Sequence, residues 1–188
     1  MATRIRDAGF GVVLVDYLSA EGVANTCSGE IAHERVGEYI AATLELAASM
    51  AQVDSSQLNV VGWSHGGSGV IAWLEALKGQ ATPAAGAVAV YPGCRGRGAW
   101  ASTVPLLVLL AEADDIASPE TCDAVLQNLP EGTRVEVRRY ANARHGFDFT
   151  EGPEVLSIGG GMTVGRNPSA GREAWREIFG FLKGQPAD

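Results

Sequence analysis

No stretch of this chain approaches the ~18 unbroken apolar residues that a membrane-spanning helix needs, although 46% of its 188 residues are hydrophobic. That apolar content is enough for a substantial core, and the length fits one domain over residues 1–188. Positive charge is scarce as well: 14 Lys and Arg stand against 22 Asp and Glu, for a formal charge of −8. The sign argues against nucleic acid and anionic membrane as partners, a local basic patch such as Arg95 with Arg97 being the one place where it could fail. Cysteine is sparse. Cys27, Cys94 and Cys122 are too few and too scattered for a metal framework, and free buried thiols are the default expectation. The alternative is a Cys94–Cys122 pair, since Cys94 follows the apolar run Ala87 to Tyr91 and Cys122 opens a helix, which places both above one edge of a sheet. Internal repeats and low-complexity tracts are also lacking.

What is present is an alternation. Near-continuous apolar runs at Gly11 to Val15, Leu58 to Val61, Ala87 to Tyr91, Leu106 to Leu110 and Arg134 to Tyr140 read as strands. Between and after them, helix patterns fall near Ile31 to Met50, Gly67 to Leu77, Pro119 to Leu129 and Ser169 to Leu182. In the first of these, Ile31, Val36, Ile40, Leu44, Ala47 and Ala48 form the apolar face, and Glu34, Glu38 and Glu45 the wet one. Strands without polar alternation, separated by amphipathic helices, predict an α/β fold: a mostly parallel sheet of about five strands flanked by helices. Thr150 to Ala170 is Gly-rich and longer than most connections, a segment expected to be functional or mobile.

Gly62-Trp63-Ser64-His65-Gly66 sits between the strand run Leu58 to Val61 and the helix run from Gly67. In that context a G-x-S-x-G pentapeptide reads as a nucleophile elbow, where the chain turns sharply and holds one serine in a strained conformation. Gly62 and Gly66 are the positions expected to tolerate no side chain. A serine hydroxyl needs a base to take its proton and an acid to orient that base. Leu106 to Leu110 empties into Ala111-Glu112-Ala113-Asp114-Asp115, and Arg134 to Tyr140 empties into Ala141-Asn142-Ala143-Arg144-His145-Gly146-Phe147. Ser64, then Asp114, then His145 is the chain order of an α/β-hydrolase. Asp114 is preferred over Asp115 because adjacent residues leaving a strand point in different directions, and Asp115 then reads as a capping or turn carboxylate. His33 shares a polar stretch with Glu30, Glu34 and Glu38 and is expected on a solvated face. His65 matters through its backbone N–H, an oxyanion-hole donor.

At these residues the chain resembles the dienelactone hydrolase family of α/β-hydrolases. The matching pieces are the elbow with its strand, Val60 to Gly67, then Pro105 to Asp114, then Tyr140 to Phe147. The resemblance extends from about Ala8 to Leu182 and implies Ser64, Asp114 and His145 as a catalytic triad. Founding members carry cysteine where this chain has Ser64, which points to ordinary esterase chemistry. They also carry a substrate-binding arginine four places after the histidine, where this chain has Phe149, so a carboxylated lactone is disfavoured. The start is unusual for such a fold. Met1 to Ala8 reads as the last turns of a helix stopped at Gly9, with a strand at once after it. The usual N-terminal strands are lacking, including the one that lies between the strands matching Gly11 to Val15 and Leu58 to Val61, and whose following loop gives the second oxyanion donor. The chain is expected to be a fragment, to close the gap by direct pairing of these two runs, or to take the missing edge from a second copy.

Only Pro92 to Val104 separates the third and fourth strand runs, too little for a lid domain, so small or moderately sized soluble acyl esters fit better than long-chain lipids. Trp100, Tyr17 and Phe147 are candidate wall residues, with core packing as the plain alternative. The reading is therefore a serine ester hydrolase acting on a small-molecule ester, with no metal or organic cofactor implied. A peptidase or amidase with the same triad is the alternative among enzymes. A fragment that has lost catalysis and serves as a non-enzymatic module is the alternative outside them. Self-association through the incomplete sheet is the expected partner interaction.

Overall fold

The apolar runs in the middle of the chain become strands because each finds a helix to bury against on either side. The computed structural model describes residues 1–26 and 31–184, so Cys27 and Glu30 lie outside the described residues. Strands β1 (Leu58–Trp63), β2 (Ala84–Val90), β3 (Leu106–Ala111) and β4 (Val135–Tyr140) form one parallel sheet in the order β1-β2-β3-β4. Side chains alternate between two cores, as the period of a strand requires. Ala87, Ala89, Leu106, Val108 and Leu110 face α3 (His33–Ala48), α4 (His65–Leu77) and α5 (Glu120–Leu126). Val88, Val90, Leu107, Leu109 and Ala111 face α1 (Ala2–Asp7) and α6 (Pro168–Leu182), through Ile5, Ala174, Trp175 and Ile178.

Helix α3 packs on α4 at close range because two glycines clear the way. A side chain at Gly69 would overlap Val36, and one at Gly37 would press on the Trp73 backbone. Helix α6 starts one residue earlier than its sequence pattern indicates. Asn167 caps it by accepting from the Ala170 N–H at 3.2 Å, and Pro168 takes the first position, where a missing N–H costs nothing. Thr150 to Ala170 contains an antiparallel hairpin, β5 (Leu156–Gly159) with β6 (Met162–Val164), turning through Gly160 and Gly161 at positive φ.

Among the described residues the sheet has four strands rather than five. Gly11 to Val15 is not a strand, and it does not pair with β1. It runs past a groove of about 480 Å³ whose other wall is β1, with Val36, Ile40 and Leu44 at the base. A strand exists by its interstrand hydrogen bonds, and among the described residues this segment pairs with no strand. Direct closure of the gap, one of the expected outcomes, does not occur. Helix α2 (Tyr17–Glu21), capped by the Asp16 carboxylate at the Ser19 N–H, then carries the chain toward α3.

The cysteine default is also overturned. Cys94 and Cys122 form a disulfide, tying the loop after β2 to α5. Arg97 makes no basic patch with Arg95, because its guanidinium is held between Glu75, at 3.1 Å, and Glu34. No helix among the described residues is long and apolar enough to cross a membrane.

Candidate active site

Ser64 stands between β1 and α4 with φ 51° and ψ −119°. A non-glycine residue there costs on the order of 1–3 kcal/mol and persists only where its surroundings over-determine it. Here the Ser64 N–H donates to the Val90 carbonyl at 2.9 Å, and its own carbonyl accepts from the Ser68 N–H at 2.9 Å. The turn is tight because Gly62 lies against the backbone of Gly66, where any Cβ would collide. Gly67 is similarly crowded by the carbonyls of Gly62 and Val90. Gly66 is not. A Cβ at Gly66 would meet nothing, because that residue faces the groove beside β1, so the steric demand expected at Gly62 and Gly66 falls on Gly62 and Gly67.

His145 follows β4 and is held by a bridge to Val164 and by its carbonyl, which accepts the Gly165 N–H at 3.0 Å. Its Nε2 lies 2.7 Å from Ser64 Oγ and its Nδ1 2.7 Å from Asp114 Oδ2. With Nδ1–H donating to the carboxylate, Nε2 is the acceptor for the serine proton. Asp114 is buried just past β3, and its second oxygen accepts the N–H groups of Ile116 and Ala117 at 2.9 and 2.8 Å. Asp115 points elsewhere. It accepts the Thr163 N–H at 2.8 Å and the Thr163 hydroxyl at 2.6 Å, fastening the β5–β6 hairpin beside the site, and these bonds hold its carboxyl below the usual range.

His65 occupies the first position of α4, where N–H groups have no acceptor within the helix. Its ring is fixed by donation from Nε2 to the Ile31 carbonyl at 2.9 Å, with the Tyr17 hydroxyl 3.3 Å from Nδ1. His33 is half-buried rather than on a solvated face. Its ring meets His65 edge-on at 4.8 Å, and burial, followed by the nearby His65 and Arg97, pushes its pKa down against the pull of Glu34. Trp100 and Phe147 are core residues, packed in the two opposite cores, and of the three candidate walls only Tyr17 lines the groove beside β1, next to the His65 ring. Phe149, where the resemblance places an arginine in the family, lays its ring against Gly146.

Three residues near Ser64 are given no role by the sequence: Tyr91, Asp148 and Trp63, the last known only as a member of the elbow. Tyr91, the residue just past β2, has φ 38°, and its ring centroid lies 4.7 Å from that of His145. Its hydroxyl donates to Asp148 at 2.8 Å, and Trp63 Nε1 donates to the same carboxylate at 3.0 Å. Burial raises the pKa of both groups, most strongly that of Tyr91, where the Asp148 charge adds to it. Among the described residues no cluster of three or more His, Cys, Asp or Glu side chains is placed to hold a metal.

The model of one protein family, described as the dienelactone hydrolase family, matches residues 1–185. Among solved structures the chain is similar to a dienelactone hydrolase-like promiscuous phosphotriesterase from metagenomic libraries, at 18% identity and a TM-score of 0.68, covering 96% of this chain and 77% of that one. It is also similar to puromycin hydrolase, at 18% identity and a TM-score of 0.56, covering 80% of this chain and 25% of that one. An esterase matches at 16% identity with a TM-score of 0.50, covering 61% and 54%. These likenesses establish the fold, and the chain spans only about a quarter of puromycin hydrolase and about half of the esterase. No curated protein matches the sequence.

Proposed function

Because the chain belongs to the dienelactone hydrolase family, we propose that it is a serine hydrolase cleaving carboxylic esters of small to moderate acyl groups. Ser64 Oγ attacks the acyl carbon as His145 Nε2 takes its proton, and the same nitrogen then protonates the departing alcohol. Asp114 keeps the imidazole in the tautomer with Nδ1–H and stabilises the imidazolium. The His65 N–H, at the positive end of α4, binds the oxyanion. Water activated by His145 releases the acyl group and restores Ser64. The observation that supports this reading is the unbroken line of hydrogen bonds from Ser64 Oγ through His145 to Asp114, 2.7 Å at each step. The short connection between β2 and β3 and the Phe149 ring favour compact, uncharged esters over lipids or carboxylated lactones.

Ser64→Ala tests it. The parent should be captured covalently by a fluorophosphonate and should hydrolyse p-nitrophenyl acetate. The variant should lose capture and about three orders of magnitude or more in hydrolysis with its thermal transition nearly unchanged. Parent-like hydrolysis by the variant would remove Ser64 as nucleophile. A second reading, a non-enzymatic module, is favoured by the groove, which opens beside the elbow at Gly66, and a parent that resists capture would support it. The same open edge of β1 is where self-association between copies would occur.

A further inference from the structure

Asp148 is a buried carboxylate, 4% exposed, that the chemistry just described leaves unused. Its two oxygens are each taken by a neutral donor, and the donors are informative. Trp63, on Oδ2, is the residue before Ser64; Tyr91, on Oδ1, is the residue after Val90, whose carbonyl holds the Ser64 N–H. Ser64 and Tyr91 are two of four non-glycine residues at positive φ among those described, so both ends of this arrangement store backbone strain. The Tyr91 ring packs on the imidazole of His145, and Asp148 sits three residues beyond that histidine, in a loop closed by Phe147 N–H to Arg144 and Phe149 N–H to Gly146.

We propose that Asp148 is a positioning residue: one carboxylate that clamps the strand end bearing the nucleophile and the neighbouring strand end against the loop bearing the base. The inference rests on the reading of Ser64 and His145 as nucleophile and base. A carboxyl group presents two oxygens in one plane, so a single side chain can hold both strained residues at once. Such accuracy has a large effect on rate, since a displacement of about 1 Å between reacting groups can cost roughly a hundredfold.

The test uses the full chain and two readouts. Asp148→Asn keeps the shape but offers one carbonyl oxygen to two donors. It should slow fluorophosphonate capture of Ser64 by roughly ten- to hundredfold. Amide exchange at Ser64 and Tyr91 should rise about tenfold while that of Leu107 and Val108, in the sheet centre, stays at the parent's rate. Trp63→Phe and Tyr91→Phe each remove one donor and keep a ring, and each should give part of the same slowing. They carry the test if Asp148→Asn does not fold. Capture at the parent's rate, or exchange at Ser64 and Tyr91 rising only in step with Leu107 and Val108, overturns the clamp. If the parent itself is not captured, the hydrolase reading fails, and the exchange pattern alone decides whether Asp148 clamps the two strand ends.

Discussion

Two five-residue apolar segments of this chain, Leu106 to Leu110 and Gly11 to Val15, have opposite fates. The first is a strand with every side chain sealed; the second is an unpaired stretch with Val13 61% and Leu14 76% exposed. Their sequences do not account for this, since Val-Val-Leu-Val is as strand-prone as Leu-Leu-Val-Leu. The surroundings do. Leu106 to Leu110 has β2 on one edge and β4 on the other, whereas Gly11 to Val15 faces β1 across a groove wide enough to keep them from pairing. Hydrophobicity marks a segment as able to join a sheet, and only a partner at hydrogen-bonding distance makes it a strand.

The contrast can be broken hardest on its well-formed side. Asp114→Asn should lower ester turnover by about four orders of magnitude, because asparagine facing Nδ1 favours the wrong tautomer, while Asp115→Asn should stay within about tenfold of the parent. Steady-state kinetics of the two variants check this, and equal losses would move the role to Asp115. On the open side, extending the chain at its N-terminus with a segment that places a strand in the groove and a donor loop beyond it should raise turnover by about two to three orders of magnitude. Sedimentation velocity should show the parent self-associating and the extended chain monomeric. A parent that is a cooperative monomer with ordinary esterase turnover would show that the groove withholds nothing essential.

A pair of truncations reads the same contrast in stability rather than turnover. Leu109→Ala, in the sealed strand, should cost about 2–5 kcal/mol of stability by urea unfolding. Leu14→Ala should stay within about 0.5 kcal/mol, and a larger loss would mean that the segment packs more firmly than its exposure implies. The smallest expected effect is a pH dependence. Burial raises the Asp148 pKa, so the folded state holds that proton more tightly than the unfolded chain does. Its contribution is fully present below the ordinary carboxylate range and is lost as pH rises through the raised value. Relative to the parent, Asp148→Asn should therefore gain thermal stability as pH rises above the ordinary carboxylate range. A difference independent of pH would show no linkage at Asp148.

The four strands were legible because each is an apolar run with turn residues on both sides, and their limits moved by at most a few residues. The places of Ser64, Asp114 and His145 were legible for the same reason, each lying just beyond the C-terminal end of a strand. What escaped depends on contacts between distant segments. The tolerance at Gly66 follows from a groove and the burial of His33 from the His65 ring, while the Cys94–Cys122 bond, weighed in the sequence only as the alternative to free thiols, depends on the approach of α5 to the loop after β2. Asp148 gave no signal because its partners stand 85 and 57 positions away and neither belongs to a motif with it.

The strand order β1-β2-β3-β4 has a consequence for how the molecule is made. Every strand pairs with its neighbour in the sequence, so each can dock as it leaves the ribosome, without waiting for later chain. The turn that presents Ser64 can then form before His145 is made, and it gains the Asp148 clamp only with the histidine loop. The last strand and α6 then bring in the histidine loop and close the second core in one step. During synthesis Ser64 thus precedes His145, and on the proposed mechanism a ribosome stalled before β4 would hold the serine without its proton acceptor.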